Sequence, residues 1–363
     1  MPDLSRPTRR FVLGLAAAGI AKIAQGATPA DHALVCVYLL GGNDGNNLIV
    51  PLERAQYQAY ERVRGPLALA AGDLLPVQAS RNSGTYGFHP ALSELRDLYN
   101  QGALAVVANV GSLEYHDSRK GHPYDSVAFL EGGTFTLPFA AARAGLKVTD
   151  KGGALVMARG VTMVSQDVGG SRAPYQEMVR AAGAVRFRSP FPSTGISNSL
   201  KEVVGLIQAA RGGGLRNPVF TIAMGGFDTR AAQLQMQASL FRELSAGMAA
   251  FYAAADEVGI ADKVTVFTES EFGRTIKPVG NNGSGDGWGN HHLVMGGSVL
   301  GHDIYGVFPD IATAERHADG GWVPTTSREQ YLSTLANWAG VPYSDLQGLF
   351  PRLSGNANLG FMA

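Results

Sequence analysis

Apolar positions in this chain cluster into short unbroken runs rather than alternating with polar ones. Ala33 to Leu40 reads ALVCVYLL, Pro218 to Met224 reads PVFTIAM, and Lys263 to Thr268 reads KVTVFT. Each run is rich in β-branched or aromatic residues and stops at a loop signal, the pattern of a strand buried on both faces. Ala103 to Val110 and Leu293 to Met295 are shorter candidates of the same kind, both ending in glycine. Helical spacing fills the intervals. Leu234, Phe241, Leu244, Met248, Phe251 and Val258 recur at three-to-four spacing within Ala231 to Val258, predicting a long amphipathic helix capped by Asp228 or Thr229. Pro90 to Gln101 and Ser327 to Ala339 predict two more, the latter closed by Gly340. Strands alternating with helices predict an α/β fold with a mostly parallel, doubly wound sheet.

Composition refines this picture. The chain has 363 residues, 45% of them apolar, enough for a sizeable core. Lys plus Arg and Asp plus Glu both total 30, so charge gives no reason to expect nucleic acid as a partner. The 47 glycines mostly punctuate apolar runs and read as turns and close backbone approaches. The lone Cys36 lies inside an apolar run, which predicts a buried, inert thiol.

Residues 1–27 form a separate unit. Arg9 and Arg10 directly precede the apolar segment Phe11 to Ala21, and small residues follow from Ala24 to Ala27. That is a leader of the twin-arginine type, and it predicts export to the periplasm or medium by the twin-arginine machinery. Lys22 interrupts a segment already too short to span a bilayer, so no stable membrane anchor is expected after cleavage. Residues 28–363 are expected to form one domain, with a less regular central insertion at about 113–217.

The chemistry concentrates where strands end, the usual location of sites in open α/β sheets. Asp44 follows the first run in GGNDGNN, Asp228 follows the second in GGFDTR, and Glu271 follows the third in TESEFGRT. A fourth segment, GDGWGNHHLVMGG, adds Asp286, His291 and His292. Converging carboxylates need compensation, and a divalent cation is one solution. Imidazole beside carboxylate favours zinc, manganese or iron. Arg274 suits an anionic oxygen. Each residue also has a plainer reading. Gly-Gly-x-Asp can be a simple turn, Asp228 a helix cap, and Glu271 and Arg274 partners of each other. His291 and His292 face opposite ways on a strand, so at most one faces a site. Ser112 and Ser118 are nearby hydroxyl candidates for a nucleophile. The glycine-rich stretches lack the spacing of nucleotide-binding loops.

Taken in order, the arginine-pair leader, GGNDGNNLIVP, the later GGxDT, TESEFGRT, DGWGNHHLVMGG and WVPTTSREQYLSTLANWAGV resemble a large exported bacterial family. This is the domain of unknown function family 1501, grouped with the alkaline phosphatase and sulfatase fold. The likeness runs from the leader almost to the C-terminus and is weak between about 113 and 217. It implies an alkaline-phosphatase-like three-layer α/β/α sandwich. It also implies a periplasmic metal-dependent hydrolase; the resemblance names no substrate, and the expected one is a phosphate or sulfate ester of a small molecule or glycan. Asp44 would be the first metal-binding acid, and Asp228 and Glu271 the later ones. The chain departs from the family twice. Relatives read G-G-x-D-T-H where Arg230 stands here, and D-H where Gly285 and Asp286 stand. Arginine cannot ligate a metal. The departures leave three readings open: a one-metal site, an altered site using His291 or His292, or a catalytically silent binding or assembly protein retaining the fold.

Overall fold

The computed structural model describes residues 32–113, 154–158, 161–165, 180–210, 218–316, 321–355 and 358–363. Its centre is a nine-stranded sheet. The strands along it are β1 (Ala33–Leu40), β5 (Leu104–Gly111), β6 (Ala154–Ala158), β7 (Val161–Ser165), β8 (Val219–Gly225), β9 (Val264–Ser270), β12 (Asn290–Gly296) and β13 (Ile304–Tyr305). They lie in the order β13-β5-β12-β9-β1-β8-β7-β6, and β14 (Thr326–Ser327) adds to β5. The pairings β1–β8, β1–β9, β5–β13 and β5–β14 are parallel. Only β12 and β7 run against the others, so the sheet is mostly parallel. Two small antiparallel sheets flank it. One joins β2 (Ile49–Pro51), β4 (Gly84–Phe88) and β3 (Leu75–Ala79), and the other pairs β10 (Gly273–Val279) with β11 (Gly283–Gly287).

Helices cover both faces of the large sheet. Val35, Val37 and Leu39 of β1 share a core with Leu200 and Val204 of α3 (Gly195–Ala210) and with Phe241, Leu244 and Met248 of α4 (Gln233–Glu257). The alternate residues Leu34, Cys36 and Tyr38 face Tyr331 and Leu335 of α5 (Arg328–Trp338) and Leu346 of α6 (Tyr343–Leu349). A strand buried this way has no polar face, which is why its sequence shows no alternation. Two further helices are α1 (Arg54–Arg64) and α2 (Ser93–Asn100). None of the described helices is long and apolar enough to cross a membrane.

Helix ends separate local from long-range causes. Ser327 caps α5 through a reciprocal capping box with Gln330, which the sequence signals directly. The cap expected at Asp228 or Thr229 for α4 is not found. The helix instead starts after Ala232 in a left-handed conformation (φ 46°), with no side-chain cap. The backbone N–H groups of Ala232 and Gln233 donate to the carbonyls of Asn281 and Asn282 in the β10–β11 turn, at 3.1 and 3.0 Å. A distant turn therefore satisfies the first amides, and Asp228 is released for other contacts.

Candidate functional site

The Gly-Gly turn after β1 forms the centre of the C-terminal edge of the sheet. Gly41 and Gly42 both have positive φ, 112° and 82°. A Cβ on Gly41 would collide with the Asp228 backbone nitrogen, and one on Gly42 with the Phe272 ring. Two glycines are required because the turn after β8 packs directly onto Gly41, while the Phe272 ring, from the segment after β9, packs onto Gly42. Gly42→Ala is expected to cost well over 1 kcal/mol, through left-handed strain as well as collision. Gly225→Ala, at a position with open space around it, should stay within about 0.5 kcal/mol in the same urea titration.

Glu271 and Arg274 clamp this turn together. The amides of Gly41 and Gly42 donate to Glu271 Oε2 at 2.9 and 3.1 Å. Arg274 Nε donates to the Gly42 carbonyl at 2.8 Å, and Arg274 Nη2 to those of Gly41 and Phe227. The two side chains thus hold opposite ends of the same peptides rather than each other. Burial pushes the Glu271 carboxyl up, against the opposing pull of its amide donors and the Arg274 charge. Segments that follow β1, β8 and β9 meet at this turn, and they bring Asp228 and Glu271 to it, but not Asp44.

Four charged side chains close the edge. Arg274 Nη2 donates to Asp228 Oδ1 at 2.8 Å, and Arg274 Nη1 approaches Asp286 Oδ1 at 3.3 Å. Arg230 Nε lies 2.9 Å from Asp228 Oδ1, and Arg230 Nη2 lies 2.6 Å from Asp286 Oδ1. Each carboxylate is therefore shared by two guanidinium groups. The cluster grades from inside to outside: the Arg274 side chain is fully buried, Asp286 is 11% exposed, Arg230 40% and Asp228 47%. Burial raises the Asp228 pKa, but the Arg274 hydrogen bond and the Arg274 and Arg230 charges outweigh it and hold the carboxyl below its ordinary range.

Asp44 turns away from this cluster into a separate buried network. It is 1% exposed. Its carboxylate accepts from Arg64 Nη2, Gln233 Nε2, the Asn46 amide at 2.9 Å and Asn46 Nδ2 at 2.7 Å. Arg64, fully buried at the end of α1, also donates to Asn47 Oδ1 and to the carbonyls of Thr275 and Ile276, each at 3.1 Å. The network continues through Trp322 Nε1 to Asn46 Oδ1 at 2.7 Å. Arg64 and Gln233 as direct partners of Asp44, and Trp322 as a partner of Asn46, lie outside the sequence expectation. An arginine inside the apolar stripe of α1, next to Tyr60 and Val63, was the available signal.

The histidines separate as strand alternation requires. His291 Nδ1 accepts from the Asn109 amide at 3.0 Å, and its ring stacks on Phe308. His292 stacks on Tyr331, in the core under α5, and its Nδ1 has no partner among the described residues. Burial lowers the pKa of both, to about 4 for His291 and about 3 for His292. Ser118 lies outside the described residues, and Ser112 follows the end of β5.

The fit to a divalent ion is poor in this arrangement. Among the described residues, no three His, Cys, Asp or Glu side chains form a group able to hold one. Asp228 and Asp286 are each held by two arginines, Glu271 by backbone amides, and Asp44 by Arg64 and Gln233. A buried guanidinium among the acids opposes a second cation. All three guanidinium nitrogens of Arg274 already donate to protein oxygens.

Fold and site define a mixed α/β protein whose mostly parallel sheet carries a charge-paired Arg/Asp cluster at its strand ends. Residues 201–320 match the family described as Protein of unknown function (DUF1501). That segment holds Asp228, Arg230, Glu271, Arg274, Asp286 and both strand histidines, while Asp44 lies outside it. No curated protein matches the chain.

Proposed function

We propose that this chain is an exported binding or assembly protein that retains an alkaline-phosphatase-like α/β/α fold without metal-dependent ester hydrolysis. The observation that carries this reading is the ion pair between Arg230 and Asp286, 2.6 Å long. These two residues stand at the family departures noted in the sequence, and here they neutralise each other. Swapping imidazoles for an arginine and an acid removes two neutral donors and supplies a charge pair that needs no ion. Hydrolysis through Arg274 is disfavoured by the same chemistry, because a substrate oxyanion would have to displace the carbonyls and carboxylates it already serves. The arginine-pair leader supports export, with the periplasm or medium as the site of action.

The test is elemental analysis of protein purified from its native compartment, with phosphomonoester, phosphodiester and sulfate ester assays on the same sample. Metal well below one ion per chain and no turnover above the blank are expected. A full equivalent of zinc, manganese or iron, or hydrolysis abolished by Asp228→Asn, would overturn the reading.

A further inference from the structure

A concavity lies apart from the strand-end cluster. It is a cleft of about 410 Å³ between α4, the first turn of α2 and the loop at Leu69, within the size range of small-ligand sites. Leu234, Ala238 and Arg242 line it from α4. Their spacing of four residues puts all three on one helical face. His89 and Glu94 contribute from the opposite side, and Leu69 and Pro90 complete the apolar wall.

The polar groups here hold unused capacity of both signs. His89 is 3% exposed, and its Nδ1 accepts from the Ala91 amide at 3.0 Å. That bond fixes the tautomer of the neutral ring and leaves Nε2–H as a donor with no partner among the described residues. Burial, then the Arg242 charge, lower its pKa to about 4 against the opposing pull of Asp44, so the ring is neutral near pH 7. The exposed Arg242 makes no ion pair or hydrogen bond among the described residues. Glu94 Oε2 accepts from Ser245 Oγ at 2.7 Å and Ser93 Oγ at 3.0 Å, which orients the carboxylate and leaves Oε1 without a partner among the described residues. A purely anionic ligand would meet Glu94, and a purely cationic one would meet Arg242. A small molecule carrying both charges beside a short apolar group satisfies every wall.

We propose that this cleft binds a free α-amino acid with a short apolar side chain. Its carboxylate pairs with Arg242 and His89 Nε2–H, its ammonium with Glu94, and its side chain lies on Leu69 and Leu234. The site is independent of the strand-end cluster and of whether that cluster holds a metal.

Calorimetric titration of the purified chain with L-leucine tests this, beside 4-methylpentanoate, which lacks the ammonium, and 3-methylbutylamine, which lacks the carboxylate. Leucine should bind, and each half-molecule should bind at least roughly tenfold more weakly. Arg242→Met should weaken leucine and the acid by about tenfold or more and should not weaken the amine, whose repulsion by Arg242 it removes. Glu94→Gln, which keeps an acceptor for the two serines, should weaken leucine and the amine but not the acid. Arg242 is at the surface, so its variant should fold, and circular dichroism checks this. Absence of leucine binding to the folded protein at millimolar concentration would overturn the proposal. So would a leucine affinity that Arg242→Met leaves unchanged.

Discussion

Arg64→Met is expected to lower the unfolding free energy by about 3–5 kcal/mol, among the largest losses available to a single substitution in this chain. The reason is geometry rather than the existence of a salt bridge. Arg64 and Asp44 have fully buried side chains. Removing the guanidinium leaves a carboxylate out of reach of water and takes a donor from two backbone carbonyls of β10, Thr275 and Ile276. Asp44→Asn leaves the complementary orphan, a buried guanidinium with its anion gone, and a loss of similar size is expected. The double variant should lose markedly less than the sum, because neither orphan charge then remains. Urea midpoints of the four proteins give the coupling directly. Single variants within about 1 kcal/mol of the parent would show that the network contributes little. The result also bears on the proposed function. If Asp44 acts as a hub tying α1, α4 and β10 to the end of β1, its loss appears as instability without change in metal content.

Much of the central sheet was legible because a strand buried on both faces writes itself as an unbroken apolar run. The run Ala33 to Leu40 coincides with β1, and those at 218–224 and 263–268 match β8 and β9 to within two residues. Direction was not legible. Leu293 to Met295 looks like the other buried runs, yet β12 pairs antiparallel with both neighbours, and burial alone does not encode strand polarity. The chemistry divides along the same line. That Asp228, Glu271 and Arg274 meet at one edge follows from their positions just past strand ends. What each then binds depends on residues far away in sequence. Asp44 looks like Asp228 in a Gly-Gly-x-Asp turn, but a helix beginning at Arg54 brings Arg64 to it, while Arg230 and Arg274 take Asp228. The repeated motif records a shared turn geometry, with two positive-φ glycines after β1 and one, Gly226, after β8. The partner of the acid that follows is not encoded in the motif.

Acidification from pH 6.5 toward 4.5 is expected to destabilise the protein steeply, and replacing His292 should flatten the slope. Burial lowers the pKa of His89 and His291 to about 4 and of His292 to about 3; neighbouring positive charge adds to burial for His89 and His292, while Asp44 opposes it for His89 and His291. In the unfolded chain each titrates near 6.5. Below that value the unfolded state takes up protons that the folded state refuses. The stability these histidines contribute is complete above pH 6.5 and is lost as pH falls toward 4. Each contributes a slope of up to about 1.4 kcal/mol per pH unit. Two carboxyls oppose this. Burial raises the pKa of Glu269 and Glu271, so both bind protons in the folded state before the unfolded chain does, and acidification through that window favours folding. His292 isolates one contribution cleanly, because its Nδ1 has no hydrogen-bond partner among the described residues and its ring stacks on Tyr331. His292→Phe keeps an aromatic ring against Tyr331 and removes the titration. Its stability relative to the parent should rise by about 2 kcal/mol between pH 8 and pH 5, whatever the repacking cost at pH 8. Equal pH slopes for the two proteins in urea titrations would mean that His292 is protonated in the folded state. The closed core under α5 would then admit water to that ring.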